Sequence, residues 1–111
     1  MATALHGVYC RLRDRHYEPT VKYRGKLIYL KSWHNPTMAA RVRDVAAKWL
    51  YGPNATLNFP DVSAPAPVRE SDIAGWLIER GVPVSFLVHR VPRETLLAAG
   101  VNESDLDSLN S

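Results

Sequence analysis

The chain has 111 residues, 46% of them apolar and 23% charged, with 14 Lys+Arg against 11 Asp+Glu for a formal net charge of +3. That length supports one domain, or one small domain with an appendage, and the composition excludes a wholly disordered, collagen-like or coiled-coil chain. No apolar run approaches the ~18 residues of a membrane span; Met1-Ala2-Thr3-Ala4-Leu5 does not read as a signal peptide, and the lone Cys10 allows no internal disulfide and fits a reducing compartment.

Residues 6–33 read as three short antiparallel strands. Val8 opens the first, and the charged stretch Arg11-Leu12-Arg13-Asp14-Arg15 follows with a turn. From Tyr17 to Arg24 the sequence alternates, with Val21 and Tyr23 on one face and Thr20, Lys22 and Arg24 on the other. Gly25-Lys26 is the expected tight turn. Leu27 to Trp33 continues as a strand, with Ile28 and Leu30 on one side and Leu27, Tyr29 and Lys31 on the other. A sheet this small needs a helix on one face. That helix is predicted from Asn35 as N-cap and Pro36 at the first helical position to a Gly52-Pro53 stop. Ala39, Val42, Ala46, Trp49 and Leu50 recur at helical spacing as a core stripe, while Arg41, Asp44 and Lys48 fall elsewhere on the cylinder. Asp44 and Lys48, four apart, are expected to form a surface pair of roughly 0.2–0.5 kcal/mol.

Phe59 is expected to dock against this helix, and the Pro-rich segment 61–69 reads as a linker. Beyond it, Ser71 is the expected cap of a helix over Asp72–Arg80 closed by Gly81, with Ile73, Trp76 and Leu77 as an apolar stripe. That stripe suits either a partner surface or a lid on the small core. Val82–Val91 suits either a strand or a buried helix. Pro92–Ala99 is a second helix candidate ended by Gly100, and 102–111 is expected to be acidic and frayed. The organisation expected is a module over 6–60, a linker over 61–69, and an acidic, partly helical extension over 70–111.

The charge is unevenly placed. Residues 1–60 carry ten basic side chains against three acidic ones, and residues 61–111 four against eight, so a +7 half precedes a −4 half. Such asymmetry points to a polyanion-binding module with a tail. With the helix on Val21, Tyr23, Ile28 and Leu30, the opposite sheet face holds Lys22, Arg24, Tyr29 and Lys31, with Arg11 and Arg13 on the first strand. Cations neutralise phosphates, arginine forks onto guanine O6 and N7, and a narrow β-ribbon enters the major groove. The bland alternative is a solvated charged face.

Ala39-Ala40-Arg41-Val42-Arg43-Asp44-Val45-Ala46-Ala47, followed by Gly52-Pro53-Asn54-Ala55-Thr56-Leu57-Asn58-Phe59-Pro60, resembles the C-terminal half of the plant AP2/ERF (ethylene-responsive element binding factor) DNA-binding domain. That family has an A-A-x-x-x-D-x-A-A helix and then G-x-x-A-x-L-N-F-P. Gly7-Val8 matches its R-G-V-R opening, and Tyr29-Leu30-Lys31-Ser32-Trp33 stands where W-L-G-T-F is usual. The resemblance covers about residues 6–60. It implies an α+β fold, a three-stranded antiparallel sheet packed against one α-helix, and sequence-specific binding of double-stranded DNA through the sheet by a nuclear transcriptional regulator.

The departures fall on the residues that would read DNA. His6 and Tyr9 stand in place of two arginines, Arg11 matches a third basic position, and Arg13 replaces a tryptophan. Thr20 stands for Glu, Lys22 for Arg, Leu27 for Arg and Tyr29 for Trp, and one extra residue sits in the first turn. Lysine does not replace a bidentate fork, and each lost base contact removes ~1–3 kcal/mol of discrimination. The expected DNA-binding set is therefore His6, Tyr9, Arg11, Arg13, Thr20, Lys22, Arg24, Tyr29 and Lys31, with altered or weakened specificity. Arg11 is the expected base-edge contact. The alternative is an AP2-like interaction module that no longer reads DNA. Transcriptional co-regulators are the expected partners of the C-terminal extension, and neither a membrane nor a small-molecule substrate is expected.

Cys10, His16 and His34 lack metal-ligand spacing, so no metal and no cofactor are expected. The sequence holds no G-x-S-x-G, phosphate loop or H-E-x-x-H. Ser71, Asp72 and His89 are too ordinary a trio to define a catalytic triad. An enzyme is not expected.

Overall fold

The computed structural model describes residues 4–60 and 66–110. Three strands, β1 (Val8–Arg11), β2 (His16–Tyr23) and β3 (Lys26–Tyr29), form an antiparallel sheet in the order β1-β2-β3. Helix α1 (Pro36–Tyr51) packs against β1 and β2 and ends in a 3-10 turn, Gly52–Asn54. Among the described residues four shorter helices follow: α2 (Glu70–Glu79), α3 (Val84–Leu87), α4 (Arg93–Ala98) and α5 (Glu103–Asn110). The layout is α+β with a helical C-terminal part, as expected.

Strand boundaries differ from the sequence pattern for local reasons. The second turn is Arg24-Gly25, not Gly25-Lys26. Both residues have positive φ, 51° and 78°, the type I′ geometry that matches the twist of the flanking strands. Arg24 therefore leaves the strand face and joins the turn. Arg13 also lies off its strand, because β1 ends at Arg11 and residues 12–15 form the first turn. β3 stops at Tyr29 instead of reaching Trp33. Leu30 N–H donates to the Pro19 carbonyl at 2.9 Å, and Pro19 has no N–H to return. Pairing resumes one residue out of step between Tyr17 and Trp33, through bonds of 2.7 and 2.9 Å. The offset is that of a β-bulge.

Helix α1 follows its sequence signals. Asn35 Oδ1 accepts from the Thr37 and Met38 N–H groups at 2.8 and 3.3 Å, and Pro36 occupies the first turn. Gly52, at φ 79°, ends the helix with its N–H on the Lys48 carbonyl. Val8, Cys10, Val21, Ile28 and Leu30 are buried on the sheet's inner face. Ala39, Ala40, Ala46 and Ala47 are fully enclosed; with nothing beyond Cβ, they let the helix approach the strands closely.

Asp44 overturns the expected surface pair with Lys48. It is 7% exposed, and its carboxylate accepts from Asn58 N–H (3.0 Å), Asn58 Nδ2 (3.1 Å) and Phe59 N–H (2.9 Å). Burial is tolerated because backbone donors and the neighbouring Arg43 guanidinium (3.3 Å) satisfy the charge. Asn58 in turn grips the turn before β1, accepting from His6 N–H at 2.7 Å and donating to the His6 carbonyl at 2.9 Å. Gly7 sits at φ +64°, and a Cβ there would run into the Arg43 side chain and lie 2.8 Å from the Thr20 carbonyl. Only glycine fits this approach. Phe59 docks on Val8, Ala39 and Ala40 as expected, with the Arg41 guanidinium 5.6 Å from its ring centre.

The C-terminal helices share the main core with the sheet and α1. Ile73, Leu77, Leu87, Leu96 and Leu106 are fully buried in one cluster with Val21, Ile28, Val42 and Leu50. Each such burial contributes about 1.5–3 kcal/mol. Ile73 and Leu77 therefore form a lid, with Trp76 half-buried beside them. Helix α2 begins at Glu70, with Arg69 and not Ser71 at the cap position, so Ser71 lies within the first turn. The apolar segment 82–91 contains the short helix α3 and no strand. Residues expected to be frayed form α5, held by Leu106 and by Arg93, which meets Asp107 at 2.8 Å and Glu103 at 3.5 Å. Asn102 caps it, accepting from Ser104 N–H at 2.9 Å. Of the expected linker, residues 61–65 lie outside the described residues, while Ala66 and Val68 pack against the core.

Two C-terminal arginines fasten the edges of the sheet module. Arg80 Nε donates to the Tyr29 carbonyl at 2.7 Å on the edge strand β3. Arg90 Nη1 reaches the Trp49 and Leu50 carbonyls at 3.1 and 3.3 Å, on the last turn of α1. Tyr51 from α1 accepts the Lys22 N–H at 2.6 Å, where β2 has run past the end of β1.

Candidate nucleic-acid interface

Strand alternation places a defined set on the sheet face away from α1. On β1 these are Tyr9 and Arg11; on β2, His16, Glu18, Thr20 and Lys22; on β3, Leu27 and Tyr29. The register sets Arg11 opposite His16, Tyr9 opposite Glu18, Thr20 opposite Tyr29, and Lys22 opposite Leu27. Tyr9, Arg11, Lys22, Leu27 and Tyr29 are exposed, whereas His16, Glu18 and Thr20 are half-buried. Lys31, just beyond β3, is exposed with Nζ 5.9 Å from the Trp33 ring centre.

Arg11, the expected base-edge contact, is held by neighbours. Its guanidinium lies 3.1 Å from Asp14 and 3.3 Å from Glu18, with Nη2 3.2 Å from His16 Nδ1. Glu18 also accepts from Ser32 Oγ at 3.3 Å. The hydrogen bond from His16 holds the Asp14 carboxyl below the usual carboxylate range, with the Arg11 charge acting in the same direction. His16 extends the cluster to His34, their Nε2 atoms 3.3 Å apart. A guanidinium between two carboxylates has its charge locally neutralised and both its Nη atoms engaged.

The other cations on and around the face stand outside any ion pair. Among the described residues no ion pair engages Arg13, Arg15, Lys22, Arg24, Lys26 or Lys31. Arg13 and Arg15 stand at the β1–β2 turn, and Arg24 and Lys26 at the β2–β3 turn. Arg24 lies 5.7 Å from the Tyr23 ring centre. β2 joins these turns over 8 residues, a length of about 24 Å. Positive charge thus brackets both ends of the face, with Lys22 and Lys31 between.

The nine expected site residues therefore separate. Tyr9, Thr20, Lys22 and Tyr29 share the outer face, with Lys31 alongside. Arg11 shares it in a neutralised state. Arg13 and Arg24 sit at opposite turns. His6 lies before β1, its backbone fixed by Asn58, and Thr20 Oγ1 donates to the Gly7 carbonyl at 3.2 Å. Glu18 and His16 belong to the face but were not expected there; extending the Thr20–Lys22 alternation back by two and four residues finds both. Arg15 and Lys26 join the unpaired set. Among the described residues no group of three or more His, Cys, Asp or Glu side chains is placed to hold a metal ion. No helix among them is long and apolar enough to cross a membrane. No family model matches the chain.

Proposed function

We propose that this protein is a nuclear, AP2/ERF-like transcriptional regulator that lays the outer face of its sheet in the major groove of double-stranded DNA. The observation that carries this reading is the uncovered outer face, flanked at both ends by unpaired cations. A ribbon about 24 Å long spans a major groove about 12 Å wide. Its two turns then meet phosphates on either wall, with Lys22 and Lys31 reaching the backbone between them, while Tyr9, Thr20, Leu27 and Tyr29 face the base edges. Phosphate contacts position the sheet, and base-edge contacts specify the sequence. The acidic surface of α5, with Leu109 and, on α4, Leu97 exposed, is the place for co-regulator contacts.

With six unpaired cations engaged, log K against log salt has an expected slope of about −4 to −6. Fluorescence anisotropy on a labelled random duplex across a salt series measures it. Absence of binding at low salt contradicts the proposal. That result favours the alternative, an interaction module without DNA reading, for which the neutralised Arg11 is the supporting observation. The same neutralisation sets a second expectation. Glu18→Gln removes an anion from the face and loosens Arg11, so binding tightens by about fivefold, from ~1 kcal/mol of relieved repulsion per unit charge at contact distance. A duplex titration of the variant at fixed salt reads the change.

A further inference from the structure

We infer that the face selects A·T-containing sequence by contact with thymine methyl groups, an inference that rests on the DNA-binding function proposed above. Guanine is read best by a free arginine fork on O6 and N7. Arg11 is the one arginine on the outer strand face, and Asp14, Glu18 and His16 already occupy its surroundings. Arg13 and Arg24 stand at the turns, where phosphates lie. The exposed aromatic and aliphatic side chains lie on the strands to either side of β2. Leu27 is 42% exposed, Tyr29 45% and Tyr9 40%.

The register joins Leu27 and Tyr29 to Thr20 in one patch, while Tyr9 stands opposite Glu18. Thr20 is opposite Tyr29 and Lys22 opposite Leu27, and directly opposed side chains on one sheet face are in contact range. Thr20 has committed its hydroxyl proton to the Gly7 carbonyl, so it brings a methyl group and a lone pair and no free donor. Lys22, opposite Leu27, supplies its charge to phosphate and reads no base. The Leu27 side chain and the Thr20 methyl, pressed on a G·C edge, strip water from O6, N7 and N4 without replacing its hydrogen bonds. Pressed on a thymine, the same patch buries the C5 methyl and gains.

The test uses the full chain and a random-sequence duplex pool, followed by resynthesis of the enriched sites with deoxyuridine in place of thymidine. Deoxyuridine keeps the base pairing and removes only the methyl. Thymine is expected at the enriched positions, and binding is expected to weaken about fourfold for each buried methyl removed. Leu27→Ala, at an exposed position that leaves the core untouched, is expected to shrink the thymine-to-uracil difference towards unity. Enrichment of guanine tracts, or equal affinity for the two duplexes, overturns methyl recognition while leaving DNA binding in place. Retention of no duplex from the pool at low salt overturns DNA binding itself, and the inference with it.

Discussion

Asp44→Ala is expected to destabilise the protein by about 3–5 kcal/mol, the usual effect of removing one partner from a buried ion pair. The loss has three parts. Asn58 N–H, Asn58 Nδ2 and Phe59 N–H lose their common acceptor, and partly buried donors without partners are costly. The Arg43 guanidinium, itself 7% exposed, keeps only the Thr56 carbonyl as its hydrogen-bond acceptor. Asn58 is also the residue that fixes the His6 backbone, so the entry into β1 loosens as well. Asp44→Asn retains one acceptor oxygen and is expected to lose less. Urea unfolding at neutral pH separates the variants by their midpoints. A loss below about 1 kcal/mol for Asp44→Ala would mean that the carboxylate is not what joins α1 to the segment 56–59.

The largest expected effect on binding comes from Lys22→Ala combined with Lys31→Ala. Both side chains are exposed and outside the core, so stability is expected to change little. Each released phosphate contact removes about 0.9 from the salt slope. At 0.1 M salt the pair is then expected to weaken duplex binding by roughly fifty- to a hundredfold, alike for all sequences, and to flatten the slope by about 2. An unchanged slope would place both lysines away from the phosphates. Loss for one sequence only would assign them to base edges instead.

Much of the fold was legible because its signals are local. Asn35, Pro36 and Gly52 bound α1 by chemistry that acts within one turn, and period-2 alternation separated Val21 and Ile28 from Lys22 and Leu27. What escaped depends on partners distant in sequence. Asp44 has the residue type and spacing of a surface side chain, and its donors lie 14 and 15 residues away. Pro19 shortens β3 only because the register brings it opposite Leu30. Leu106 reads as one leucine in an acidic tail until the helices are assembled around it.

The same limit applies to the candidate interface. Residue types and alternation identified the face, but not that Asp14 and Glu18 would close on Arg11. That requires β1 and β2 to be paired in register, with Tyr9 opposite Glu18 and Arg11 opposite His16. The count of basic residues was therefore a poor guide to the free positive charge. On and around the face, among the described residues, the cations outside any ion pair are those at the turns, together with Lys22 and Lys31.

Binding of double-stranded DNA through the outer sheet face is tested most directly by amide chemical-shift mapping of the ¹⁵N-labelled protein titrated with a duplex at low salt. Expected perturbations cluster at Tyr9, Thr20, Lys22, Leu27, Tyr29 and Lys31 and at both turns, 12–15 and 24–26, with α4 and α5 unchanged. Perturbations confined to α4 and α5, or none at stoichiometric duplex, would contradict it.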